Sequence, residues 1–233
     1  MKNLHNKPED PKQCNCPDIS LSFGEMTERS EKGVSWQDAL VRLKEGNLRY
    51  VNKSSRGDAG CECTRKLLCK GQWPYATILC CSDSRVPPEI IFDAGLGDLF
   101  IVRVAGNIID ARLLGSIEYA TLHSTSRLIV VMGHELCGAV TAATHVVNNP
   151  DITDTPWINS IIRDLMPAVL KAKKNSGLEG TELVEAATRQ NVRMTCSYIR
   201  ETSEALSKRE AAGDVKIIGA YKHMMSGEIE FFE

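Results

Sequence analysis

Hydrophobic positions along this chain fall into two regimes. Some form short continuous apolar runs, and others recur at helical spacing over longer stretches. The runs at residues 75–81, 99–104 and 128–132 are rich in β-branched residues. That pattern suits strands buried on both faces of a parallel sheet. Residues 215–221 make a fourth run, and 228–232 a short alternating one after Ser226-Gly227, which predicts an edge strand. Leu40, Leu43 and Tyr50 predict an amphipathic helix over 36–52, with Ser35 as N-cap and Asp38 three residues on. Asp110 opens a second helix over 110–123, carrying Leu114, Ile117 and Tyr119. A third follows Gly133, over 137–147, and residues 157–208 are helix-prone with a break near 175–177.

This order predicts an α/β fold: a mainly parallel central β-sheet flanked by helices, with an antiparallel edge strand and an N-terminal helical arm. Residues 1–34 are polar and carry Pro8, Pro11 and Pro17, so they read as an irregular arm. Residues 35–233 read as a single domain. Residues 53–74 between them and the first strand are polar and Gly-containing.

Charge is nearly balanced, 28 basic against 30 acidic residues, with no basic stripe to bind nucleic acid. No apolar run approaches the ~20 residues of a membrane span, and residues 1–17 lack the apolar core of a secretion signal. The expectation is a cytoplasmic protein with no nucleic-acid or membrane partner. The nine cysteines are odd in number, which argues against a complete disulfide framework. In a reducing compartment thiols are buried, catalytic or metal-bound.

Two segments sit directly after strands: Cys81-Ser82-Asp83-Ser84-Arg85-Val86-Pro87-Pro88-Glu89 and Gly133-His134-Glu135-Leu136-Cys137-Gly138-Ala139. If their strands are neighbours, Cys81, His134 and Cys137 converge at one end of the sheet. Two thiolates and an imidazole suit a tetrahedral zinc site whose fourth position stays open, the arrangement of a catalytic rather than a structural centre. The His-x-x-Cys spacing fits a helix start, where the macrodipole favours the Cys137 thiolate. A zinc-protease pattern is excluded because position 138 is Gly where a second His is needed. Asp83 and Arg85 can pair, keeping the carboxylate ionised. Beside a metal, Asp83 can then accept a hydrogen bond or swing in as the fourth ligand.

These two segments resemble the two signatures of the β-class carbonic anhydrases. The likeness spans roughly residues 36–148 and the tail near 218–221, and includes Arg103-Val104-Ala105-Gly106-Asn107. The resemblance implies one Zn2+ per chain held by Cys81, His134 and Cys137, with Asp83 and Arg85 as the dyad beside it. It further implies pocket positions at Gln72, Phe100, Tyr119 and the N–H of Gly138. It implies a homo-oligomer, a dimer or a dimer of dimers with the pocket at the interface. The implied activity is reversible hydration of CO2 to bicarbonate and a proton by hydroxide on zinc, all-histidine carbonic anhydrase being the reference case for such activation of water. Ile78 stands where members with an inhibitory bicarbonate site carry Trp, so that site is expected to be absent and the metal open, Asp83 ligating only in a closed form.

Several readings stay open. A carbonyl sulfide or carbon disulfide hydrolase would use the same scaffold and nearly the same chemistry. A non-catalytic zinc or redox-sensing protein would be expected to lack Asp83 or Arg85. His5, His123, His145 and His223 are all candidate proton shuttles. Cys14-x-Cys16 and Cys61-x-Cys63 could form a second metal or redox site, although their spacing differs from that of zinc ribbons. Cys80 is expected to be a core thiol on the face opposite Cys81.

Overall fold

The computed structural model describes residues 33–56 and 60–233, with Cys63 described by its backbone alone. The expected arm over 1–34, apart from its last two residues, lies outside the described residues, as do Cys14, Cys16 and His5. The chain runs α1 (Trp36–Val51), α2 (Glu62–Leu68), β1 (Ala76–Cys80), α3 (Pro88–Ile91), β2 (Leu99–Arg103), a 3-10 turn (Ala105–Asn107), α4 (Ala111–Leu122), β3 (Leu128–His134), α5 (Gly138–Asn148), α6 (Pro156–Ser176), α7 (Gly180–Thr202), α8 (Glu204–Ala211), β4 (Lys216–Lys222) and β5 (Ile229–Phe232). Ser35 caps α1 by accepting the Asp38 N–H, as its sequence predicts.

Among the described residues, five strands form one sheet in the order β2-β1-β3-β4-β5. The first four are mutually parallel, and β5 lies antiparallel on β4 at one edge. β1 and β3 are buried along their whole length, which explains their continuous apolar runs. One core fills the face that carries Ala76, Ile78 and Met132, together with α1, α5 and α6. A second fills the opposite face, where Leu79, Val102 and Val131 meet α4, α7 and α8. Each fully buried Leu, Ile or Val contributes roughly 1.5–3 kcal/mol.

The helix-prone stretch 157–208 resolves into α6, α7 and α8. Gly177, at φ 65°, stops α6, and Ser203 separates α7 from α8 while its hydroxyl accepts the Leu206 N–H. Helices α2 and α3 lie outside the elements expected from periodicity. The first is capped by Cys61, whose sulfur accepts the Thr64 N–H, and the second is a single turn opened by Pro88. β3 runs two residues past its apolar core because Gly133 and His134 pair with Tyr221 and Lys222.

Candidate metal centre

β1 and β3 are adjacent, with Cys80 level with Met132, so Cys81 and His134 leave the sheet together at its C-terminal edge. This is where parallel α/β sheets place their ligands. Leu136 takes φ 56°, turning the chain sharply from β3 into α5, with Cys137 at the helix N-cap. The turn brings the ligand atoms of Cys81, His134 and Cys137 within 4.8 Å of one another, all in buried residues.

His134 Nδ1 lies 2.9 Å from the Glu135 carbonyl oxygen. A carbonyl only accepts, so this contact assigns the proton to Nδ1 and leaves the Nε2 lone pair free. Nε2 is buried without a partner, facing the thiols. An orphaned acceptor beside two sulfurs lacks a Lewis acid, and the set fits zinc. The Cys81 sulfur accepts the N–H groups of Gly106 at 3.3 Å and Asp83 at 3.4 Å. Hydrogen bonding from Cys137 and these amides holds the Cys81 thiol well below its ordinary range. The Cys81 thiolate and burial push Cys137 up. One proton is thus retained between the sulfurs, and a bound dication would displace it.

Asp83 and Arg85 do pair. Arg85 donates from its backbone N–H and Nε to Oδ1, both at 2.9 Å, and from Nη2 to Oδ2 at 2.7 Å. These bonds hold the Asp83 carboxyl well below the usual carboxylate range. Arg85 Nη2 also reaches the Leu136 carbonyl at 3.3 Å, tying the two ligand-bearing loops together.

The carbonic anhydrase family profile matches residues 76–229, which contain all of these residues. Carbonic anhydrase 2 of Mycobacterium tuberculosis is 38% identical over 189 residues, 81% of this chain and 89% of that protein. The carbonic anhydrase of Mycolicibacterium smegmatis is also 38% identical, over 82% of this chain and 91% of its own. The solved β-carbonic anhydrase CcaA superposes with a TM-score of 0.66 at 28% identity, covering 84% of this chain and 88% of that one. The chain belongs to the β-class carbonic anhydrase family. It is therefore an enzyme of that family, with the mostly parallel sheet and flanking helices of its solved members. A tetrameric β-carbonic anhydrase of Sordaria macrospora shares the fold at TM-score 0.64 and 19% identity, over 92% of this chain and 98% of that one.

The pocket positions expected of a β-carbonic anhydrase fall in two places. Gly138 opens α5 beside Cys137, and a Cβ there would meet open space. Gln72 is exposed in the loop before β1, at the opposite end of the sheet from the metal ligands. Phe100 is level with Thr77, four residues before Cys81, so it lies ~13 Å from the ligand end at about 3.3 Å per residue. It packs 6.3 Å from Tyr119, which is 53% exposed. Within one chain, Gln72, Phe100 and Tyr119 do not join the cluster.

The histidines proposed as shuttles are dispersed. His123 stacks 5.5 Å from Tyr119, His145 lines the groove between α5 and α7, and His223 faces Glu230 at 3.7 Å. Cys80 is a packed core thiol, pushed up to about 12 by burial. It shares the first core with Cys81 instead of facing away, because β1 ends at Cys80 and strand alternation stops there.

Sequence reasoning missed Arg103 as a site residue. It ends β2 and donates to two carbonyls of the Cys81–Asp83 turn. Its segment belongs to the family likeness, but its contact follows from the β1–β2 register and not from any spacing. Lys222 was missed as well: it is buried level with His134, its Nζ 3.5 Å from Met224 Sδ, and burial lowers its pKa.

Proposed function

We propose that this chain is a zinc-dependent carbonic anhydrase that converts CO2 and water reversibly to bicarbonate and a proton. The observation that carries this reading is the buried, unpartnered His134 Nε2 beside two cysteine sulfurs, with the Asp83–Arg85 pair next to them. Cys81, His134 and Cys137 would hold one zinc ion per chain. Zinc supplies Lewis acidity there, which makes a water nucleophilic near neutral pH.

The protein's own groups do the rest. Arg85 keeps Asp83 ionised and fixed, so its carboxylate can accept a hydrogen bond from the attacking water and orient it. The Gly138 N–H is the donor for a substrate oxygen. Buried Cys81, His134 and Cys137 keep bulk water from the ligand atoms.

We also infer that the working enzyme is a homo-oligomer. Gln72, Phe100 and Tyr119 are too far from their own cluster, so a second copy would supply them to the pocket. The tetrameric β-carbonic anhydrases of Sordaria macrospora agree with this reading. A cytoplasmic location is inferred from the thiol-based site, which a reducing compartment keeps in its ligand form.

Stopped-flow CO2 hydration by the wild type and a Cys137→Ser variant, with zinc counted in both, tests the proposal. Fast hydration lost together with zinc is expected. A fully zinc-loaded wild type inactive on CO2 would redirect the reading to carbonyl sulfide, and inactivity on both gases to a non-catalytic zinc protein.

A further inference from the structure

We propose that Arg103 is a positioning residue for the reaction, acting through the backbone of the Cys81–Asp83 turn. The inference rests on the carbonic anhydrase reading of the site.

Arg103 is the last residue of β2, an edge strand, and its side chain is exposed. Its planar fork nevertheless spans two main-chain acceptors. Nε donates to the Cys81 carbonyl at 3.1 Å and Nη2 to the Asp83 carbonyl at 2.7 Å. The residues that follow continue the grip. The Ser82 N–H donates to the Val104 carbonyl at 3.2 Å, and the Gly106 N–H donates to the Cys81 sulfur at 3.3 Å. One short segment therefore holds the backbone on both sides of Ser82 and the ligand sulfur itself.

Asp83 is held from two directions as a result: Arg85 takes its carboxylate and Arg103 its carbonyl. Without the Arg103 side chain both carbonyls lose a donor and, of this segment's bonds to the turn, only the Ser82 and Gly106 contacts remain, so the Cys81 sulfur and the Asp83 carboxylate shift together. Lysine cannot replace the fork, because a single ammonium lacks the planar pair of donors that reaches both carbonyls at once.

The test compares Arg103→Met and Arg103→Lys with wild type, all zinc-loaded. Three quantities are measured: metal release to a chelator, kcat per bound zinc alongside KM for CO2, and the visible spectrum of the cobalt-substituted proteins. In Arg103→Met, metal release is expected to be about tenfold faster and kcat per zinc about tenfold lower with KM unchanged. The cobalt bands should shift, and Arg103→Lys should recover part of each effect. Wild-type kcat per zinc and wild-type cobalt bands in Arg103→Met overturn the proposal, even if the melting temperature falls. Should Arg103→Met not fold, the same criteria apply to Arg103→Lys. If the wild type itself binds zinc but hydrates no CO2, the functional reading fails, and the release and cobalt measurements still decide the role of Arg103.

Discussion

Arg200 and Glu210 form a forked ion pair that brackets the backbone of Ile217. Arg200 Nε meets Oε2 at 2.7 Å and Nη2 meets Oε1 at 3.1 Å. The same guanidinium donates to the Ile217 carbonyl at 2.6 Å, and the same carboxylate accepts the Ile217 N–H at 2.9 Å. The pair ties α7 and α8 to β4, the strand that supports β3 and His134.

Glu210 carries a pH dependence. Burial raises its pKa, but the Arg200 hydrogen bonds and the Ile217 N–H outweigh burial and leave it lowered. A carboxyl with a depressed folded pKa stabilises above its unfolded value, about 4.3 for Glu, and loses that contribution as pH falls through the folded value. Glu210→Gln should therefore be less stable than wild type to urea at pH 7. The gap should shrink as both are taken below about pH 4. A gap constant across that range would show that the charge of Glu210 does not stabilise the fold.

Chelation should abolish hydration, and stoichiometric zinc should restore it. In the metal-free protein Cys81 and Cys137 share a proton, and the thiolate character of the pair should be trapped by a thiol reagent. Peptide mapping of a limited alkylation locates the label, and labelling of Cys81 and Cys137 unchanged by zinc would contradict the ligand assignment. Zinc should suppress the labelling of both.

Gly133 lies in β3 immediately before His134. A Cβ there would stand 2.8 Å from Thr188 Cγ2 and 2.9 Å from Val192 Cγ2, both on α7. Val192 has one strongly preferred rotamer on a helix, and the Thr188 hydroxyl is fixed by its bond to the Val184 carbonyl at 2.8 Å. Gly133→Ala should force α7 off the sheet at a cost of about 1–3 kcal/mol in denaturant unfolding. Because His134 is the next residue, zinc affinity should fall as well. A variant with wild-type stability would show that this contact yields freely.

Subunit complementation tests the shared pocket. A His134→Ala chain lacks its own metal site but keeps its Gln72, and a Gln72→Ala chain is the reverse. If each pocket takes Gln72 from a second copy, their heterodimer holds one intact site. Mixing unfolded chains equally and refolding should then regain about a quarter of wild-type activity, above either variant alone. Activity equal to the average of the two variants would place Gln72 in its own chain's site or in none.

Much of this enzyme was legible in its sequence. Continuous apolar runs marked β1, β3 and β4 because a central parallel strand is buried on both faces. Cys81, His134 and Cys137 were legible because metal chemistry demands particular residue types, and each follows a strand whose end is itself visible. Asp83 and Arg85 lie two residues apart, so their pairing is local and the sequence contains it. Helices α2 and α3 were not legible, since a thiol N-cap and a single turn opened by Pro88 leave no periodicity to read.

What only the tertiary structure decided is what depends on register and distance. Arg103 is 22 residues from Cys81 in the chain, and only the pairing of Cys80 with Arg103 brings its fork onto the Cys81 and Asp83 carbonyls. The free lone pair on His134 followed from where the Glu135 carbonyl points. The separation of Gln72, Phe100 and Tyr119 from the ligands followed from strand direction, which sets these residues at the end of the sheet opposite Cys81. Local sequence specifies residue chemistry and short-range geometry. Contacts between distant segments are set by how strands align, and that alignment is the outcome of packing the whole core.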